Sequence, residues 1–317
     1  MGSESYWLDT APAFTGARLG DLPKQVDVAV VGGGFTGLAA ARALARNGAS
    51  VVVLDAGRVI GEASGRNGGQ CNTGVAQDYA GLHASLGAAK ARAYYQAYES
   101  AVQTVVSLVE QEGIACDLVR NGKLKLAAKP LHYEGLARTC ELIRQEVDAD
   151  VELLSAEQTH AEVNSAQFHG GLLQRNGVQM HVGRFGVGLA EAAVRRGAMI
   201  YEHTQVNHWK AQAGGYQVTT AKGSLHAGQV LLATGACQHG DLGWYRRRIV
   251  PVGSFVIATE VLSQALIDQL LPQHRAYVTS RMIGNYFRLT PDNRLLFGGR
   301  ARFAMSDSVS DAKSGKV

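Results

Sequence analysis

Six residues near the start of the chain, Gly32-Gly33-Gly34-Phe35-Thr36-Gly37, carry the spacing G-x-G-x-x-G, and an acid, Asp55, follows 23 residues after Gly32. Residues of these types at this spacing suit the binding of a dinucleotide. Gly32 permits a tight turn, Gly34 lacks the Cβ that would block a pyrophosphate, and Gly37 lets a helix pack closely on a strand. A helix beginning at Phe35 and Thr36 turns free N–H groups and a partial positive charge toward phosphate oxygens. Asp55, with Ala56 beside it, stands where a carboxylate accepts hydrogen bonds from ribose hydroxyls.

The elements that must place these residues are legible around them. Residues 26–31, VDVAVV, are a β-branched run suited to a buried parallel strand. Residues 35–47 have the alanine and leucine content of a helix, with Gly48 as its stop, and residues 50–54, SVVVL, form a second buried strand. Together they make one βαβ unit. Directly after it, Gly61-Glu62-Ala63-Ser64-Gly65-Arg66-Asn67-Gly68-Gly69-Gln70 places glycines and polar donors where an NAD dehydrogenase would enter another crossover helix. Such a loop can bring backbone N–H groups against phosphate and ribityl oxygens, which favours FAD over NAD.

Further along, residues 85–112 read as one long helix ended by Gly113, residues 116–128 as a hairpin turning at Asn121-Gly122, and residues 131–147 as another helix. A helix from 183 to 195 leads to a strand at 197–202, and residues 229–233 form an apolar strand closing in Thr234-Gly235-Ala236, small residues that permit close approach. From 249 the pattern is β-rich, with strands at 251–259, 277–280, 285–289 and 294–298.

Composition narrows the class. The 317 residues are enough for about two domains, and 46% hydrophobic with 18% charged residues excludes a disordered chain. The 38 glycines exceed the usual share of about 7% and point to tight turns and close backbone approach. A net charge of +4 is scattered; the one dense basic run, Arg246-Arg247-Arg248, reads as a solvated turn, so no nucleic-acid footprint is expected. No apolar stretch reaches a membrane span. Four cysteines, at 71, 116, 140 and 237, lack CxxC spacing and suggest reduced thiols in a cytoplasmic protein. His203 and His208 lack the H-E-x-x-H pattern, so no metal is expected, and neither a G-x-S-x-G elbow nor a P-loop is present.

The loop from Gly61 to Gly69 resembles the GASGRNGG-like loop of the glycine oxidase / D-amino acid oxidase family of FAD-dependent oxidoreductases. Ser5-Tyr6-Trp7, Asn285-Tyr286-Phe287-Arg288 and the run from Asp292 to Gly299 look most like its γ-glutamylputrescine oxidoreductase branch. The resemblance implies an α/β fold in which a Rossmann-like FAD-binding domain is interleaved with an antiparallel-sheet substrate domain. It divides the chain into an N-terminal arm (1–25), an FAD domain (26–80 and 183–240), a substrate or roof domain (81–182 and 241–305) and a polar tail (306–317). It implies a cofactor contact for every residue of the first fingerprint, for Asp55 and Ala56, for Ser64, Gly65, Arg66, Asn67, Gly68, Gly69 and Gln70, for Thr234 and Gly235, and for Val206, at the end of a short strand beside the adenine.

The activity it implies is oxidation of a small amine by hydride transfer to flavin, with γ-glutamylputrescine first and glycine, sarcosine or D-amino acids next. Tyr286, Arg288 and His181 are its candidate substrate contacts, an Arg fork matching a carboxylate, with an ion-paired place in the sheet as the equal alternative for Arg288. His181 sits among apolar neighbours, where a histidine is more often a hydrogen-bonded core residue. Some relatives carry a lysine over the flavin where this chain has Leu295-Leu296-Phe297, which leaves the electron acceptor open. Family members continue well beyond the length of this chain, so it resembles a truncated one. The competing expectation is therefore a flavin-binding fragment that turns over poorly and associates through its incomplete C-terminal side.

Overall fold

The structure is a computed structural model describing residues 5–74, 77–236, 243–250 and 252–302, with the side chains of 246 and 300–302 outside that description. The expected tail at 306–317, Cys237 and the last residues assigned to the roof lie outside the described residues.

The βαβ unit forms as its sequence requires. Strands Gln25–Val31 and Val51–Leu54 run parallel in a six-stranded sheet ordered 199–201, 51–54, 25–31, 223–232, 215–220, 206–212. The first four strands are parallel neighbours and the last two form an antiparallel arm. Successive side chains alternate faces: Val28 and Val30 face one core, Ala29 and Val31 the other. Helices Phe35–Arg46 and Val182–Arg195 cover the first of these faces, contributing Leu38, Ala41, Phe185 and Leu189. A β-branched run buried on both faces is thereby explained.

A second sheet of seven strands has the order 253–261, 294–302, 286–289, 276–279, 123–126, 171–174, 151–154. Its neighbours are antiparallel except Ala276–Thr279 beside Lys123–Leu126, which joins strands from two distant parts of the chain in parallel. Leu124, Leu126, Tyr277 and Phe287 line one face, closed by Ile267 of the helix Gln264–Leu270. The mixed α/β architecture with two sheets, one largely parallel and one largely antiparallel, is the fold expected from the sequence.

Four local expectations are corrected. The helix expected over 85–112 is two, Tyr79–Leu86 and Ala88–Glu112, because Gly87 adopts φ +80° and breaks the hydrogen-bond ladder. The hairpin expected over 116–128 does not form: Gly122 makes the left-handed turn (φ +72°), yet Val119 bridges Gln179 while Lys123–Leu126 pairs with 171–174 and 276–279. Distant strands outcompete the local partner. Val206 begins the strand Val206–Gln212 instead of ending one. The helix Gln264–Leu270 was not anticipated, although Ser263 caps it with its hydroxyl.

Candidate cofactor and substrate site

The glycine fingerprint is built by backbone contact. Gly32 has φ +108°, and a Cβ there would lie 2.5 Å from the Ala233 carbonyl oxygen; one at Gly37 would lie 2.0 Å from the Gly32 carbonyl oxygen. Strand, turn, helix and the strand leading to Thr234 and Gly235 are thus pressed together at one point. A Cβ at Gly34 would approach Ser64 Oγ to 2.9 Å, and that hydroxyl accepts from the Phe35 N–H at 3.1 Å. Thr36 is exposed on the helix's first turn.

Asp55 closes the turn. Its carboxylate accepts from the N–H of Gly33 at 2.6 Å and of Gly57 at 2.8 Å, leaving further lone pairs on both oxygens. Ala56 beside it is exposed. The chain before Val206 pairs with this turn: the Thr204 N–H donates to the Asp55 carbonyl and the His203 N–H to that of Gly57. Val206 then packs with Leu54 and Tyr201.

The loop from Gly61 to Gln70 ties itself and both sheets together. Arg66 donates to the Gly61 carbonyl, Asn67 to that of Ser64, and Asn67 Oδ1 accepts from Gly69 N–H. The Gly65 carbonyl accepts from the Ser5 hydroxyl and that of Asn67 from the Trp7 indole, so the helix Tyr6–Asp9 is part of the site, a role not read from sequence. Gln70 donates to the Phe287 carbonyl, and a Cβ at Gly68 would lie 2.7 Å from the Tyr286 ring. Cβ-free backbone at Gly34, donors at the helix start and the Asp55 carboxylate fit the phosphate and ribose portions of FAD. Among the described residues no cluster of metal-ligating side chains occurs.

The three candidate substrate contacts have different fates. Tyr286 is half-buried, its ring lying between Gly68 and Gly298. Arg288 is 2% exposed and is spent on the protein: its guanidinium donates to the carbonyls of Gly69 (3.1 Å) and Met180 (3.0 Å) and lies over the Trp7 ring. Burial pushes its pKa down to about 10, which still leaves it charged at neutral pH. His181, 1% exposed, caps the helix Val182–Arg195 through Nδ1, which accepts from the Arg184 N–H, and its Nε2 meets the Thr10 hydroxyl at 2.9 Å. Burial, then the nearby Arg184 charge, lowers its pKa to about 4 and keeps the ring neutral. With Nδ1 accepting, the hydrogen-bond network assigns the ring proton to Nε2. In the structure Arg288 ties the loop at Gly69 to the second sheet, with its Nε buried and without a partner among the described residues, and His181 caps the helix Val182–Arg195.

The sequence matches the family described as FAD dependent oxidoreductase (DAO) over residues 27–315. Gamma-glutamylputrescine oxidoreductase of Escherichia coli is 34% identical over 286 residues, covering 89% of this chain and 66% of that protein. Probable oxidoreductase OrdL of Haemophilus influenzae is 32% identical over 303 residues, covering 91% and 66%. The chain thus spans just under two thirds of the length of these relatives. In fold it is similar to the crystal structure of glycine oxidase from Geobacillus kaustophilus, with a TM-score of 0.70 at 23% identity over 90% of this chain and 74% of that one. Since the family match takes in both sheets, the glycine fingerprint and the loop between them, the chain belongs to the DAO family of FAD-dependent oxidoreductases.

Proposed function

We propose that this chain holds FAD and serves in the oxidation of an amine to an imine, with γ-glutamylputrescine as the first candidate substrate and glycine, sarcosine or D-amino acids next. The observation that carries the reading is that one loop joins both sheets: Ser64 meets the first N–H of the dinucleotide helix, while Gly69 of the same loop accepts from Arg288 of the second sheet. A cofactor held by that loop lies where the second sheet can cover it. The candidate substrate follows the name of the Escherichia coli relative.

In this reading residues 26–80 and 183–240 hold the cofactor and residues 81–182 and 241–305 form its cover. Gly32 to Gly37 and the loop from Ser64 to Gln70 address the phosphates and ribityl chain, Asp55 and Ala56 the ribose, Val206 the adenine, and Thr234 and Gly235 the border of the site. Bound there, FAD would supply a two-electron acceptor for a hydride from the carbon bearing a neutral amino group. The chain itself orients and shields: Tyr286 closes the loop against Gly298, and Arg288 fixes the Gly69 carbonyl. Cys71, Cys116 and Cys140 are free thiols, which supports a reducing, cytoplasmic setting. No described helix is long and apolar enough to cross a membrane.

Reconstitution with FAD and with NAD, followed by anaerobic titration with a panel of amines, tests the proposal. Flavin uptake and bleaching of its absorbance by an amine are expected. NAD binding without flavin uptake, or bleaching by a hydroxy acid and by no amine, overturns it.

A further inference from the structure

Two lysines take no part in anything assigned above. Lys123 and Lys125 are two residues apart on the strand Lys123–Leu126, so they leave the same face of the second sheet, opposite Leu124 and Leu126. The register sets Lys123 level with Gln174 and Ala276, and Lys125 level with Leu172 and Val278; Val278 in turn pairs with Tyr286. The two lysines therefore share the face that carries Tyr286 and, two residues on, Arg288, which is the face that meets the cofactor loop.

Lys123 reaches toward the chain just beyond that loop, donating through Nζ to the Thr73 carbonyl at 2.8 Å. Here lie two buried polar atoms without a partner among the described residues, Thr73 Oγ1 and Asn72 Oδ1; Thr73 as a whole is only 3% exposed. Neither lysine forms an ion pair with any described carboxylate. The neighbours of Lys123 in register are neutral: Ala276, and Gln174, whose amide donates to the Tyr95 hydroxyl. Burial, reinforced by repulsion from Lys125, pushes the Lys123 pKa down to about 7. Two cations set side by side without a counter-charge are unfavourable unless an anion offsets them. A neutral Lys123 bonded to a carbonyl would be a sufficient structural arrangement by itself, but it explains neither Lys125 alongside nor the unpartnered hydroxyl of Thr73.

We propose that Lys123, Lys125 and the Thr73 hydroxyl form a carboxylate-binding subsite that holds the acidic end of the substrate apart from its reacting amine. The identity of the ligand rests on the amine-oxidation reading; the anion site does not. The preferred substrate is then an amine that also carries a carboxylate, as amino acids and γ-glutamyl amides do, and a plain diamine is a poor one. A single carboxylate suits the pair.

The test is calorimetric binding of glutarate, putrescine and inorganic phosphate to the FAD-reconstituted protein and to its Lys123→Met, Lys125→Met and Lys125→Arg variants. Glutarate binding should weaken about tenfold or more in the Met variants and persist in Lys125→Arg, while putrescine binding changes by less than about twofold. Lysine labelling of the unaltered protein, read by mass spectrometry, guards against variants that fail to fold: glutarate should protect Lys123 and Lys125 and spare Lys222. Glutarate binding that is absent or indifferent to both lysines, absence of protection, or phosphate held in preference overturns the subsite. A flavin that no amine bleaches, with glutarate still held through Lys125, refutes the amine reading and keeps the anion site. Amine turnover with glutarate binding unmoved by substitution does the reverse.

Discussion

The guanidinium of Arg288 lies over the indole of Trp7, 5.2 Å from the ring centroid, and each side chain grips a carbonyl of the same loop: Arg288 that of Gly69, Trp7 that of Asn67. A strand of the second sheet and the N-terminal helix thus fix the loop from two sides. The loop's glycines leave it little side-chain packing of its own, so these hydrogen bonds set its position.

Replacing Arg288 by Met should cost about 3 kcal/mol or more, because the carbonyls of Gly69 and Met180 lose a charged donor in a buried setting. Arg288→Lys should restore little, since one ammonium cannot reproduce the planar fork that spans both carbonyls. Trp7→Phe deletes the bond to Asn67 and part of a fully buried indole, for about 2 kcal/mol. Denaturant midpoints with flavin occupancy measured in parallel check this order, and a Lys variant as stable as the original chain would contradict it.

His181 predicts how stability depends on pH. Its pKa is about 4 in the fold and about 6.5 in the unfolded chain, so between these values the unfolded state binds more protons. Stability conferred by the neutral ring is complete above about pH 6.5 and is lost as pH falls through 4, at no more than about 1.4 kcal/mol per pH unit. Asp292 adds to the acid limb in the same direction: burial would raise its pKa, but hydrogen bonds from Thr290, Tyr6 and Arg294 outweigh that and hold it down. His181→Asn keeps an oxygen able to cap the helix and removes the titration. Its unfolding free energy should be lower at pH 7 and fall less steeply between pH 6.5 and 4.5 than that of the unaltered chain.

These two residues mark the boundary of what the sequence discloses. The βαβ unit was legible from Val26 to Leu54 because each cue, a β-branched run, three glycines, an alanine-rich helix and an acid, acts on its near neighbours. The loop at 61–70 was legible for the same reason. The carbonyl that Arg288 holds is 219 residues away and the Thr10 partner of His181 is 171 residues away, so neither contact is legible from the sequence. The turn at Gly122 was placed correctly while its hairpin was not: a turn is local chemistry, whereas strand pairing is a competition across the chain.

Asp55 is expected to matter twice. Asp55→Ala deprives the N–H groups of Gly33 and Gly57 of their acceptor and removes the ribose acceptor proposed above, so flavin affinity should fall about tenfold or more. Asp55→Asn keeps one side-chain oxygen and should lose less. Quenching of flavin fluorescence on titration measures both. An unchanged dissociation constant in Asp55→Ala would confine Asp55 to shaping the turn.

Gly37 and Gly48, at the two ends of one helical segment, separate steric closure from backbone strain. At Gly37 an added Cβ would lie 2.0 Å from the Gly32 carbonyl oxygen, and Gly32 cannot retreat: its own α-carbon face is 2.5 Å, measured from an ideal Cβ, from the Ala233 carbonyl oxygen. Both obstacles are backbone at the ends of paired strands, so Gly37→Ala must push the helix Phe35–Arg46 off the sheet, at about 3 kcal/mol or more. The same displacement carries the Phe35 N–H away from Ser64, and flavin binding should be lost with it. At Gly48 nothing stands within reach of a Cβ, but φ is +88°, so Gly48→Ala should cost about 1 kcal/mol through strain alone and leave flavin affinity unchanged. Denaturant midpoints and flavin titrations on the two variants decide the matter. A Gly37→Ala protein that binds flavin as well as the Gly48→Ala protein would mean that close helix-to-strand contact is not what builds the cradle.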